Sequence, residues 1–319
     1  MRARAATRPD PSPMSLDPDT ERRLLDFVRT ASFGERGAVM TDLDGTAVHE
    51  HGGRTVIPPT VEDGLRRIRE LGRPVMINSL RFPLSVMRSF GHEWCAISAA
   101  PLPTVSLNGS LLGWLTRSDS GELAFDELAC FPLEPGEVEA VLERIEGLLS
   151  AGMSELLVFW YPRDWTLGER IWTFRPERVA PVAARYPSAS LVECGDAGAL
   201  RRAWAGHDLC MALLLLDVPQ DRLMAYQHAE RERFVVHAGI DKLEGARRLA
   251  DRLQVSLEDS VGAGDTVMDT FLEGVGLAVT VGAAAPDLRG RRGTIRVDDS
   301  PALGRLLHRL AELHAAGAA

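Results

Sequence analysis

Short apolar runs alternate with segments of helical period at both ends of this chain. The run Gly37–Thr41 (GAVMT) stops at Asp42, and Val75–Asn78 stops before Ser79. Ser260–Ala263, Leu277–Val281 and Thr294–Val297 repeat the habit near the C-terminus. Such runs, too apolar to have a wet face, read as strands buried on both sides. Between them, Val61, Leu65, Ile68 and Leu71 recur at helical spacing, with Thr60 and Asp63 as a capping-box-like start and Gly72 and Pro74 as the stop. Asp19–Ser32, Phe82–Ser89, Asp241–Leu253 and Pro301–Ala315 complete the expected helices, and Cys95–Ser98 and Thr104–Leu107 two further strands. This order predicts an α/β fold, a Rossmann-like parallel sheet with helices on both faces.

The rhythm breaks from Leu111. A hairpin-like stretch, Leu111–Phe131 with a turn at Ser118–Gly121, precedes a helix at Pro135–Leu149 and an aromatic strand at Leu156–Tyr161. Residues 111–234 are therefore read as an inserted α+β domain, 19–110 and 235–319 as one core domain, and 1–18, rich in Pro, Arg and Asp, as a disordered tail. With 319 residues there is room for both units.

Composition removes several function classes. Asp and Glu number 45 against 36 Lys and Arg, so the net charge of -9 argues against wrapping a phosphate polymer, and no nucleic-acid partner is expected. No apolar run reaches the ~18 residues of a membrane span. The N-terminus carries Arg but no apolar h-region, so no secretory signal is expected. The four cysteines, Cys95, Cys130, Cys194 and Cys210, form no C-x-x-C pair and read as core thiols in a reducing cytoplasm.

Of the 36 basic residues, Lys242 is the one lysine. A chain that uses Arg elsewhere keeps Lys where a compact ammonium is needed and a planar fork fails. Lys242 opens a helix behind Asp241, where a cation opposes the macrodipole by roughly 0.3–1 kcal/mol, so a nearby anion is expected. Asp42 and Asp44 flank the end of the first strand, where open α/β sheets bind ligands, and Gly45 permits the turn. Two such carboxylates can divide labour, one attacking or binding a cation while the other handles a proton. Asp265 and Asp269 follow another strand and, four residues apart, would share a helical face. Oxygen ligands converging from two strand ends suit Mg²⁺.

The ordered set D-L-D-G-T (42–46), N-S-L-R (78–81), Lys242 and G-A-G-D-T-V-M-D (262–269) resembles the haloacid dehalogenase (HAD) superfamily of phosphatases. The inserted segment looks like the C2-type cap of its Cof-like branch, and S-L-N-G-S at 106–110 resembles that branch's Asn-Gly element. The resemblance implies Asp42 as a nucleophile forming an aspartyl-phosphate and Asp44 as the group that protonates the leaving oxygen and then activates water. Ser79 would bind the phosphoryl group, and Lys242 would pair with it and with Asp42. Asp265 would ligate Mg²⁺ beside Asp42 and the backbone carbonyl of Asp44, with Asp269 as ligand or support. Arg81 and Asn108 would lie near the substrate phosphate or the cap hinge. The family's usual Thr-Gly-Arg reads Ser79-Leu80-Arg81 here, Met268 stands where Asn is common, and Leu243 replaces a frequent Gly. The implied activity is Mg²⁺-dependent hydrolysis of a small phosphorylated metabolite, such as a sugar phosphate, in the cytoplasm. A phosphosugar mutase or a non-catalytic phosphometabolite binder would share the same core motifs. Neither the substrate's identity nor the oligomeric state has a signature in the sequence.

Overall fold

The structure is a computed structural model that describes residues 16–51, 54–216, 234–283, 286, 288 and 293–317. The expected tail at 1–18 lies almost wholly outside the described residues.

Two main sheets organise the chain. The larger has eight strands, in the spatial order Thr294–Val297, Leu277–Val281, Val261–Gly264, Val39–Thr41, Val75–Asn78, Leu102–Ser106, Leu111–Arg117 and Leu123–Cys130. The first six run parallel, and the last two are added by antiparallel pairing, the seventh to the sixth and the eighth to the seventh. Alternation along each central strand feeds two cores. Val39, Val75, Ile77, Val261 and Val279 pack against the helices Pro18–Thr30, Pro59–Glu70 and Ser300–Gly317. Met40, Met76 and Ala278 face the helix Lys242–Leu253 and the short turn Thr270–Glu273. Both faces are covered, which explains why these strands carry no polar alternation.

The second sheet has the order Leu191–Cys194, Arg170–Thr173, Leu157–Pro162, Leu209–Leu215 and Phe234–Val235. One face packs on the helices Pro135–Ser150 and Ala197–Trp204 through Val141, Ile145, Trp160, Trp172 and Leu200. The other face puts Phe159, Tyr161, Met211 and Leu213 in one cluster with Leu80, Phe82 and Met268 of the first unit. The second sheet thus lies over loops that leave the larger one.

Several expectations need correction. The hairpin at 111–130 extends the larger sheet rather than joining the inserted unit, since Leu111–Ser106 and its neighbours are paired across the two units' supposed border. A hairpin's local pattern is the same wherever its edge docks. The expected strand Cys95–Ser98 is the helix His92–Ile97, because Phe90, Trp94 and Ile97 place a helical stripe in the core. No capping box forms at Thr60. The helix starts one residue earlier, with Pro59 supplying the preset φ of a first helical residue, and the buried Thr60 Oγ1 has no partner. Of the four thiols only Cys210 is fully buried.

Candidate active site

Val39–Thr41 lies between Val75–Asn78 and Val261–Gly264, with Thr41 level with Ile77 on one side and Ala263 on the other. Chain order reverses about this strand, so a crevice opens at its carboxyl end. The next residue of each strand enters that crevice: Asp42, Ser79 and Asp265. The Asp42 N–H continues the ladder by donating to the Ala263 carbonyl at 2.9 Å. Gly45, at φ 74°, turns the chain back, and a Cβ there would come within 2.2 Å of Asp265 Oδ2. Only glycine accommodates both the left-handed backbone and that close approach.

Lys242 is buried with its Nζ between two carboxylates, 2.7 Å from Asp42 Oδ1 and 2.6 Å from Asp269 Oδ1. The anion expected beside this lysine is therefore a pair. Its helix begins as anticipated, with the Asp241 side chain accepting from the Glu244 N–H at 2.8 Å. Two residues that the sequence reading missed fix the turn in place. Asn78 Nδ2 donates to the Lys242 carbonyl at 2.8 Å, and Thr270 Oγ1 accepts from the Leu243 N–H at 3.1 Å. An amide ending an otherwise apolar buried strand was the available signal for Asn78.

Asp265 and Asp269 do converge, but not on a helix. Asp269 Oδ2 accepts from the N–H groups of Asp265 and Thr266, both at 2.9 Å, folding the segment into a tight turn. Asp side chains favour such local backbone bonds over helix interior positions. Oxygens of Asp42, Asp265 and Asp269 lie within 4.8 Å of one another. Asp44 stands apart from that set. Arg81 forks its two oxygens, Nε to Oδ2 at 2.7 Å and Nη2 to Oδ1 at 2.5 Å. Arg81, expected near the phosphate, therefore orients Asp44 and is buried in doing so. Ser79 Oγ accepts from the Arg81 N–H at 3.1 Å. Asn108 adopts φ 56°, its N–H 3.4 Å from the Ser79 carbonyl, beside Gly109, whose missing Cβ leaves room for the Asp241 carbonyl.

Four carboxylates thus face two cationic side chains. Burial, the largest influence, pushes the Asp42 carboxyl well above the usual range against the pull of Lys242, and the charges of Asp269, Asp265 and Asp44 push the same way. Burial and the Asp269 charge push Asp265 up to about 7. Burial works against the Lys242 ammonium, but Asp269 and Asp42 outweigh it and hold the amine above its ordinary range. A group of oxygen donors with unmet negative charge fits a hard divalent cation.

Above the crevice, Glu169 is buried with Tyr161 Oη donating to Oε2 at 2.6 Å and Ser188 Oγ donating to Oε1 at 3.3 Å. Burial raises its carboxyl, and the hydroxyl bonds and the Arg81 charge oppose that. Trp160, Tyr161 and Trp172 are buried, while Arg163 and Arg175 form surface ion pairs. His49–His51 forms a small strand paired with Arg54–Val56. Among the described residues no helix is long and apolar enough to cross a membrane.

No protein-family model matches the chain, and no curated protein matches it in sequence. Solved structures do. A phosphatase of the haloalkanoate (HAD) superfamily from Bacteroides thetaiotaomicron is similar at 16% identity and TM-score 0.60, over 88% of this chain and 96% of that one. A HAD subclass IIB sugar phosphatase is similar at 14% identity and TM-score 0.61, over 86% and 98%. A haloacid dehalogenase-like hydrolase from B. subtilis is similar at 18% identity and TM-score 0.57, over 84% and 98%. Over most of its length this chain has the α/β fold of the haloacid dehalogenase superfamily phosphatases.

Proposed function

We propose that the chain is a phosphomonoester hydrolase that needs a divalent cation, Mg²⁺, and acts on a small phosphorylated metabolite of the sugar-phosphate class. The observation that carries this reading is the buried Lys242 ammonium held between Asp42 and Asp269, beside Asp265, at two adjacent parallel strand ends. A carboxylate and a phosphate dianion repel, so an attack between them needs fixed positive charge already in place. Lys242 supplies one such charge, in contact with the attacking group.

Asp42 would attack phosphorus and form an aspartyl-phosphate, splitting one hard displacement into two easier ones. Asp44 would protonate the departing oxygen and then take the proton of the attacking water. Each of its two oxygens accepts one Arg81 N–H, which leaves a second lone pair on each to carry a proton. The fork meanwhile holds the carboxyl in one orientation. The Ser79 hydroxyl and Asn108 would line the phosphoryl position. Asp42, Asp265 and Asp269 would hold Mg²⁺, which when bound neutralises phosphate charge. The apolar underside of the second sheet, closed onto Leu80, Phe82 and Met268, would exclude water and favour small substrates over macromolecules.

The test uses the full chain, an aryl phosphate, and then a panel of phosphorylated metabolites with detection of released phosphate. Release that requires Mg²⁺ and stops on chelation is expected. Tight binding of a phosphorylated metabolite with no turnover would overturn the reading in favour of a sensor, and phosphate moving within a sugar would favour a mutase.

A further inference from the structure

The chain passes between the two sheets at residues 131–133. Phe131 still belongs to the larger sheet, its N–H donating to the Ser110 carbonyl at 2.8 Å, whereas the Leu133 N–H donates to the Leu209 carbonyl of the second sheet at 2.7 Å. Cys130, immediately before this crossing, ends the last strand of the larger sheet, paired with Leu111. Cys210 is the second residue of Leu209–Leu215 in the other sheet. Their sulfurs lie 3.2 Å apart, and both thiols are free. The seam around them is held by Arg163 of the second unit, whose Nη2 meets Glu127 Oε1 of the hairpin at 2.7 Å and whose N–H donates to the Asp208 carbonyl at 2.8 Å.

We propose that Cys130 and Cys210 are a modification site, a reversible disulfide that staples the second sheet to the core across the crossing. A disulfide S–S bond is about 2.05 Å, so the sulfurs need approach by only roughly 1 Å from where the fold has put them. The co-reactant is a hydroperoxide. Cys130, the more exposed of the two, is attacked first: its sulfur displaces water from the peroxide and becomes a sulfenic acid. The buried Cys210 sulfur then displaces the sulfenic oxygen as water, forming the S–S bond. Two thiols and one peroxide yield one disulfide and two waters, with two electrons passing from sulfur to the O–O bond. The bond would sit a few residues from the crossing, where any movement of the cap must be accommodated. Its effect on turnover, though not its formation, rests on the function proposed above.

The full chain is treated with hydrogen peroxide, alkylated with and without prior dithiothreitol, and mapped by peptide mass. Two of the four thiols should disappear, one linked peptide pair should carry 130 and 210, and dithiothreitol should restore both. Cys130→Ser should retain its three thiols, whereas Cys210→Ser should form no linked pair and carry its oxidation at Cys130 as a sulfenic acid. Survival of all four thiols, or a link through Cys95 or Cys194, overturns the proposal. In the activity arm, the oxidised chain should release phosphate from an aryl phosphate roughly tenfold more slowly or worse, because cap opening limits many such cycles. Dithiothreitol should restore the rate, and Cys130→Ser should be indifferent to peroxide. A link formed with no change of rate overturns the restraint on the cap. A chain that forms the link but, when reduced, hydrolyses no phosphate ester refutes the phosphatase reading and leaves the modification site standing.

Discussion

The two sheets both bury carboxylates, and they treat them differently. Glu169, under the second sheet, has each oxygen paired with a hydroxyl. Its polar demands are met within the protein. At the carboxyl ends of the larger sheet, four carboxylates share Lys242 and Arg81, and burial and neighbouring carboxylates make both Asp42 and Asp265 weaker acids than an ordinary aspartate. Burial alone therefore does not mark a site. Charge that the fold leaves unbalanced is what singles out the cluster around Lys242 as the candidate site. The parallel arrangement explains where this happens: adjacent strands end at one level, so residues far apart in the chain are delivered together.

The comparison breaks most easily at Asp42. Asp42→Asn should cut Mg²⁺-dependent phosphate release by about three orders of magnitude or more, since the amide cannot attack phosphorus. Near-normal turnover in a folded variant would remove the nucleophile assignment.

Lys242→Met should leave two buried carboxylates facing each other without their cation and cost roughly 3–5 kcal/mol, read by urea unfolding of the cation-free protein. Lys242→Arg should also lose most activity, because a planar fork cannot replace a compact ammonium between two oxygens. A variant as stable as the parent would mean that the cluster is balanced by something other than Lys242.

The Asp265 acidity sets a pH dependence. Its folded value of about 7 lies above the ordinary 3.8, so between these limits the folded chain keeps a proton that the unfolded chain has lost. Its contribution makes the cation-free protein less stable as pH rises through that window and is flat above it. A bound dication requires the deprotonated form, so stabilisation by added Mg²⁺ should grow from pH 5 to about 7 and then level off. Thermal unfolding with and without Mg²⁺ across pH measures both slopes, and a Mg²⁺ effect that declines with rising pH would contradict the ligand set.

Glu169→Gln should do least. The amide oxygen can still accept from Tyr161 or Ser188, so stability should change by about 1 kcal/mol or less. A collapse of cation binding in this variant would show that the second sheet belongs to the charged site after all.

Much of the site could be read before folding was considered. The acid-tipped apolar runs, the solitary lysine and the Asp241 cap each reflect a local rule, and each lies where that rule puts it. Three things could not be read. The Arg81 fork on Asp44 joins residues 37 apart, and no periodicity links them. The turn that brings Asp269 to Lys242 depends on a side chain accepting backbone N–H groups, which spacing alone reads as a helix. The hairpin at 111–130 carries the same alternation on either sheet.

What the residues determined by themselves was element type and the chemistry at element ends, because burial period, turn residues and caps act over a few residues. What only the tertiary structure decided was partnership: which sheet takes the hairpin, which carboxylates meet Lys242, and that Cys130 faces Cys210. Those outcomes depend on strand order and on how two sheets close on each other, and contacts across long stretches of chain leave no trace in local pattern.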